Sequence, residues 1–366
     1  MTKTMILRRA TAAFTLVELM VSSAILILIA MMVATMTNQM ANTWRYATGK
    51  IEQFSGARNA FASLTSHLSQ ATLNTYYDYF DSAGQPRTVN NAATFVPKQY
   101  GRQSELRFIC GSTDRDNLYT GSSASALAPD PSRPRPTHGV FFHAPLGFAS
   151  DHTKHGALNS LLNCWGYYIE FGNDQPNRPA FLQNISNSNP LRYRYRLMEF
   201  MQPTESMATY AQPSQWLDPI ANQGATNAHV LAENIVALVL QPMISPKDEQ
   251  QLSSPPSVPG TALAPSYFYD STAKNSDPAL NPHNQLPPIV RVTIVAIDEP
   301  SALRIAQGST KPDLQLDGLF VTDKLDGAQN YGKDLTTLQT RLAQLHCSFR
   351  VFTTDVIIRG AKWSKQ

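Results

Sequence analysis

Glu18 is a single acid at the mouth of an apolar segment, Leu19–Met36, that only Ser22, Ser23 and Thr35 interrupt. A carboxylate near bilayer depth costs roughly 2.5 to 3.5 kcal/mol or more, so it calls for a partner there. The chemistry it offers is charge neutralisation. In a stack of staggered helices it can meet a cationic amine of a neighbouring chain, and subunit order then follows from ion pairing. Pairing within its own chain one turn away, or snorkelling to the interface, stays open as the alternative.

Other residue groups carry side chains that could do chemistry. His138, His143, His152 and His155 fall within a short stretch, but their spacing is no zinc pattern, and they read as hydrogen-bonded or solvated side chains. Arg192-Tyr193-Arg194-Tyr195-Arg196 could stack on single-stranded nucleic acid. In a strand, the same alternation is a half-buried amphipathic face, the favoured reading. Asp313, Asp317, Asp323 and Asp326 lack the EF-hand order and read as an acidic loop in preference to a calcium site. No GxSxG elbow, HExxH, P-loop or GxGxxG occurs, so no catalytic residue, metal or cofactor is assigned.

These groups must be carried by definite elements. The eighteen residues from Leu19 to Met36 suit a membrane-spanning helix. Lys3, Arg8 and Arg9 precede it, which holds the leader in the cytoplasm and exports everything after Met36. Beyond the membrane, Ile51, Phe54, Ala57, Phe61, Leu64, Leu68 and Ala71 recur at helical steps, so the helix should continue to about Ala71 with one face packed on a head. Strands are expected at Glu105–Cys110, Val140–His143, Gly166–Phe171, Ile235–Leu240, Ile289–Ile297 and Phe349–Ile358. A late helix is expected at Asp334–Leu345. Ala124–Thr137, Pro203–Asn227 and Ser245–Pro288 are rich in Pro, Ser, Asn and Gln and read as surface loops. The fold class is α+β.

Charge and cysteines bound the partners. Taking Lys3, Arg8 and Arg9 from 30 Lys+Arg leaves 27 against 27 Asp+Glu, and that neutrality argues against nucleic acid. Cys110, Cys164 and Cys347 allow at most one disulfide within the chain, with small buried hydrophobes an equal reading.

A small residue, Ala13, precedes the apolar run, the reverse of a secretory signal. The run Phe14-Thr15-Leu16-Val17-Glu18-Leu19 resembles the processing site of type IV prepilins and type II secretion pseudopilins, whose usual Gly is replaced here by Ala13. The resemblance implies cleavage between Ala13 and Phe14, N-methylation of Phe14 and an assembly role for Glu18. It implies as partners a prepilin peptidase with N-methyltransferase activity, other prepilin-like subunits and an inner-membrane assembly platform. Val230–Leu238, Tyr267-Phe268-Tyr269-Asp270 and Leu286–Ile294 are similar to the core of J-type minor pseudopilins. Leu106–Gly111, Ala144–Gly147, Arg196–Phe200 and Arg359–Trp363 resemble the Verru_Chthon cassette protein C family of prepilin-like proteins. The implied layout is a leader (1–13), a transmembrane helix (14–36), its amphipathic continuation (37–74) and a pilin-like, antiparallel β-rich head (75–366). The implied product is a non-enzymatic, minor filament subunit with a periplasmic head. An uncleaved single-pass protein with a ligand-binding or enzymatic head is the alternative.

Overall fold

The computed structural model describes residues 16–113, 134–156, 160–175, 178, 191–207, 209, 228–306, 308, 310–322 and 324–364, without the side chains of 42, 45–53, 152 and 206. Two compact units divide the chain, Met1–Glu52 and Gln53–Gln366. The helices are α1 (Leu16–Leu68), α2 (His152–His155), α3 (Pro246–Gln250), α4 (Glu299–Ile305) and α5 (Tyr331–Gln344). The strands are β1 (Tyr76–Phe80), β2 (Gln99–Gln103), β3 (Ile109–Ser112), β4 (His138–Ala144), β5 (Asn163–Asn173), β6 (Tyr193–Gln202), β7 (Ala228–Glu233), β8 (Ile235–Met243), β9 (Tyr269–Asp270), β10 (Ile289–Ile297) and β11 (Phe349–Ile357). All described pairings are antiparallel, so the protein is α+β with an apolar N-terminal helix.

In the first unit α1 is apolar and unburied over Leu16–Ala41. In the second, its residues Ala57, Ala60, Leu64 and Leu68 are buried, the one-sided stripe that a packed helix needs. They join one core with β8, β10 and the inner faces of β4 and β5, and the Phe61 ring lies 6.0 Å from Phe352 of β11. The sheets follow the order β11-β10-β8 and β7-β6-β5-β4-β3-β9, with β1-β2 a separate ribbon. Two sheets burying their inner faces on each other and on a helix give a layered core from alternating residues. A second cluster, Ile109, Phe141, Cys164, Tyr168, Met198 and Phe200, lies on the other face of the larger sheet.

Several sequence expectations need correction. α1 ends at Leu68, short of Ala71, because Ala71 N–H closes back on the Leu68 carbonyl and Arg359 N–H takes the Ser69 carbonyl. Glu105–Cys110 is not one strand. The Ser104 hydroxyl oxygen accepts Leu106 N–H and the Ser271 hydroxyl oxygen accepts Phe108 N–H, diverting those amides from a ladder until Ile109. Ser245–Pro288 is more than a surface loop, since it holds α3, β9 and the buried Tyr267, Tyr269 and Leu286. The late helix starts at Tyr331, three residues early, with Leu338 and Leu342 buried as its periodicity requires.

Candidate functional site

The stretch Leu16–Ala41 of α1 is long and apolar enough to cross a membrane, and none of it is buried. Leu26, Leu28 and Met31 are each about two-thirds exposed. A helix of this length rises about 39 Å at 1.5 Å per residue, enough for a hydrocarbon core of about 30 Å. Its internal polar groups are satisfied locally: the hydroxyls of Ser22, Ser23 and Thr35 donate to the carbonyls of Glu18, Met20 and Met32 at 2.7, 2.9 and 2.8 Å. Such back-bonding removes the donors that would otherwise be stranded in hydrocarbon. Glu18 stands in the first turn, on the exposed surface of the helix. There the helix dipole favours an acid. Ala13, Phe14, Lys3, Arg8 and Arg9 lie outside the described residues.

The other end of α1 carries a polar junction. His67 Nδ1 lies 2.7 Å from the Tyr167 hydroxyl, which donates to Glu199 Oε1 at 2.7 Å. Because the hydroxyl has one proton and spends it on Glu199, Nδ1–H donates to the phenol oxygen. Glu199 Oε1 is also 3.6 Å from Nδ1. Burial acts to raise the Glu199 pKa, but the neighbouring His67 imidazole and the hydrogen bond from Tyr167 outweigh it and hold the carboxyl below its usual range. Tyr167 is pushed up, first by burial and then by Glu199. The imidazole packs on Trp165 with ring centroids 4.6 Å apart. This relay ties the helix end to β5 and β6. Nothing local in the sequence singled out His67, whose partners lie about a hundred positions away.

The other predicted groups do not converge. His138 and His143 share β4, but Leu240 N–H bonds His138 Nδ1 at 3.0 Å and His138 Nε2–H donates to the Phe320 carbonyl at 2.8 Å. His143 instead bonds the Arg107 carbonyl and the Thr209 hydroxyl. His155 lies at the end of α2, and the side chain of His152 lies outside the described residues. Among the described residues no three His, Cys, Asp or Glu side chains are grouped to hold a metal. Asp313 and Asp317 pair with Arg341 and Lys311 rather than with each other's ligand sphere, Asp326 binds Gln329, and Asp323 lies outside the described residues. The arginines of β6 correct the amphipathic reading. Arg194 and Arg196 are buried, bonded to Glu299 at 2.8 Å and to Glu233 at 3.4 Å, while Tyr195 faces the main core. Both faces of that strand are covered. Cys110, Cys164 and Cys347 are buried thiols, and burial raises the thiol pKa of Cys164 and Cys347.

The Leu231-Ala232-Glu233 segment ends β7, turns at Asn234 (φ 62°) and enters β8. Asp270 of β9 holds Arg107 by two bonds, Nε to Oδ1 at 3.0 Å and Nη2 to Oδ2 at 2.5 Å. This bidentate pair fixes the rim of the larger sheet. The chain was compared with models of protein families, with curated proteins and with solved structures, and it matches none of them.

Proposed function

We propose that the chain is a membrane-anchored, prepilin-like subunit: cleaved between Ala13 and Phe14, methylated on Phe14, and assembled with other prepilin-like subunits into a type IV pilus-like or type II secretion-like filament. The observation that carries this reading is the division of labour along α1. From Leu16 to Ala41 it is apolar, exposed and marked by one acid in its first turn. From residue 54 its apolar side chains turn to one face, and that face is buried in a β-rich head. A helix meant only for a soluble core would bury its apolar residues, so the exposed half is built for lipid or for neighbouring helices.

In this reading the head is pilin-like, of the J-type minor pseudopilin and Verru_Chthon cassette protein C kind, and sits in the periplasm outside the inner membrane. The subunit does no chemistry itself. A prepilin peptidase processes it and an assembly platform extracts it from the membrane. Its large head suits a minor or tip position, since a densely repeated subunit must fit identical neighbours on every side. Coexpression with a prepilin peptidase, followed by intact mass and N-terminal sequencing, tests the proposal. A mature chain starting at methylated Phe14 is expected, and a chain that keeps its leader would overturn it.

A further inference from the structure

Arg102 of β2 is only 6% exposed. Its Nη1 donates to Gln285 Oε1 and to the Lys362 carbonyl, both at 2.9 Å, and its Nη2 donates to Ser364 Oγ at 3.0 Å. All three acceptors are neutral. No carboxylate of the described residues forms an ion pair with Arg102. The other deeply buried arginines, Arg107, Arg135, Arg194 and Arg196, each face an acid. A buried cation is expensive unless an opposite charge meets it. Among the described residues no acid supplies that counter-charge, which leaves room for one anionic group.

The place for that group is a cleft of about 240 Å³ that Arg102 lines. Its walls come from three distant segments: the chain leaving α1, the turn before β10 and the segment after β11. Gly360 sets the approach of two of them, since a Cβ there would lie 2.8 Å from the Ala71 carbonyl. Lys362 is exposed, lines the same cleft and pairs with no described acid. Asn74 and Asn284 line it too, both in the left-handed region at φ 45° and 54°. That conformation costs energy and persists where the surroundings over-determine it. Asn284 Nδ2 is held by the Arg102 carbonyl and His283 Nδ1, so Arg102, Lys362 and Asn74 are the groups of this cleft suited to a charged oxygen group on a polar molecule.

We propose that this cleft binds an oxyanion, a carboxylate or phosphate carried on a small polar molecule, with Arg102 at the floor and Lys362 at the mouth. The site lies wholly within the second unit and is independent of the filament reading, so either can fail alone.

The test uses the full chain in detergent, titrated with inorganic phosphate and separately with citrate, against sodium chloride of matched ionic strength. A ligand that binds only the folded state raises the melting temperature as its concentration exceeds Kd. A rise with either anion beyond the chloride control is expected, and the anion that works shows whether phosphate or carboxylate is preferred. Lys362→Ala should leave the unliganded melting temperature unchanged and weaken binding about tenfold, ~1.4 kcal/mol. Arg102→Gln, if it folds, should abolish the response. No rise with either anion, or wild-type affinity in Lys362→Ala, would overturn the proposal and leave Arg102 as a clamp on residues 362–364.

Discussion

The ring of Phe141 occupies the space where a side chain on Gly166 would begin: two of its carbons lie 2.3 and 2.4 Å from the Cβ position of that glycine. The two residues pair directly across β4 and β5. With no side chain at 166, the ring lies over the neighbouring strand and reaches Tyr168 and Phe200 at centroid distances of 6.3 and 6.5 Å.

Gly166→Ala should therefore expel a fully buried ring from the second core. Overpacking of this kind costs about 1 to 3 kcal/mol. Thermal denaturation of the full chain in detergent should show a lower midpoint, and adding Phe141→Leu should recover part of the loss. A midpoint equal to wild type in the single variant would contradict the assignment.

How much of this was legible in the sequence depends on how local the signal is. β10 was read at Ile289–Ile297 because its β-branched run is bounded by Pro288 and Asp298, and the helix α1 because apolar content and period both speak within a few turns. β6 was harder. Its arginines look solvated until Glu299, more than a hundred residues away, is known to cover one of them. Composition misled in Ser245–Pro288, where Pro and Ser conceal two tyrosines that the core swallows. The apolar stretch Leu16–Ala41 was legible for the same reason as the rest of α1. The His67 junction and the Arg102 cleft were not, since each is assembled from segments that only the fold brings together.

His143 is buried, and desolvation lowers its pKa from 6.5 to about 4, against a smaller opposing effect of the Arg107 carbonyl. Between those values the unfolded chain binds a proton that the folded chain refuses, so stability rises with pH across that window. The contribution is fully present above about pH 6.5 and is lost as pH falls toward 4, on the order of 3 kcal/mol at 1.36 kcal/mol per unit. Melting temperatures measured from pH 7 to 4 should fall for wild type. His143→Gln should be less stable at neutral pH and should flatten that slope; an equally steep slope would assign it to other groups.

The two halves of α1 should respond oppositely to the same truncation. Leu64 is fully buried in the main core, so Leu64→Ala should cost about 2 to 5 kcal/mol of head stability. Leu26 is 69% exposed, and Leu26→Ala should leave the head's melting temperature unchanged. Deletion tests the same point: a chain starting at Gln53 keeps Ala57, Ala60, Leu64 and Leu68 and should fold without detergent, whereas one starting at Thr75 loses them and should aggregate. Circular dichroism and size-exclusion chromatography of the two deletions read the outcome. A well-folded chain from Thr75 would show that α1 adds little to the head.

Glu18 gives the sharpest prediction for the filament reading. Removing a carboxylate makes an apolar run easier to insert. The buried core of the head begins only at Ala57. Glu18→Ala should therefore enter the membrane and keep a folded head. Assembly should fail instead, because a neighbour's Phe14 amine would enter the helix stack without its counter-charge. Glu18→Gln keeps the shape and loses the charge, so it separates ion pairing from packing and should fail as well. Crosslinking to partner prepilin-like subunits in membranes measures this directly. Wild-type crosslinking by both variants would mean that Glu18 serves only the membrane interface and that order in the stack comes from the heads.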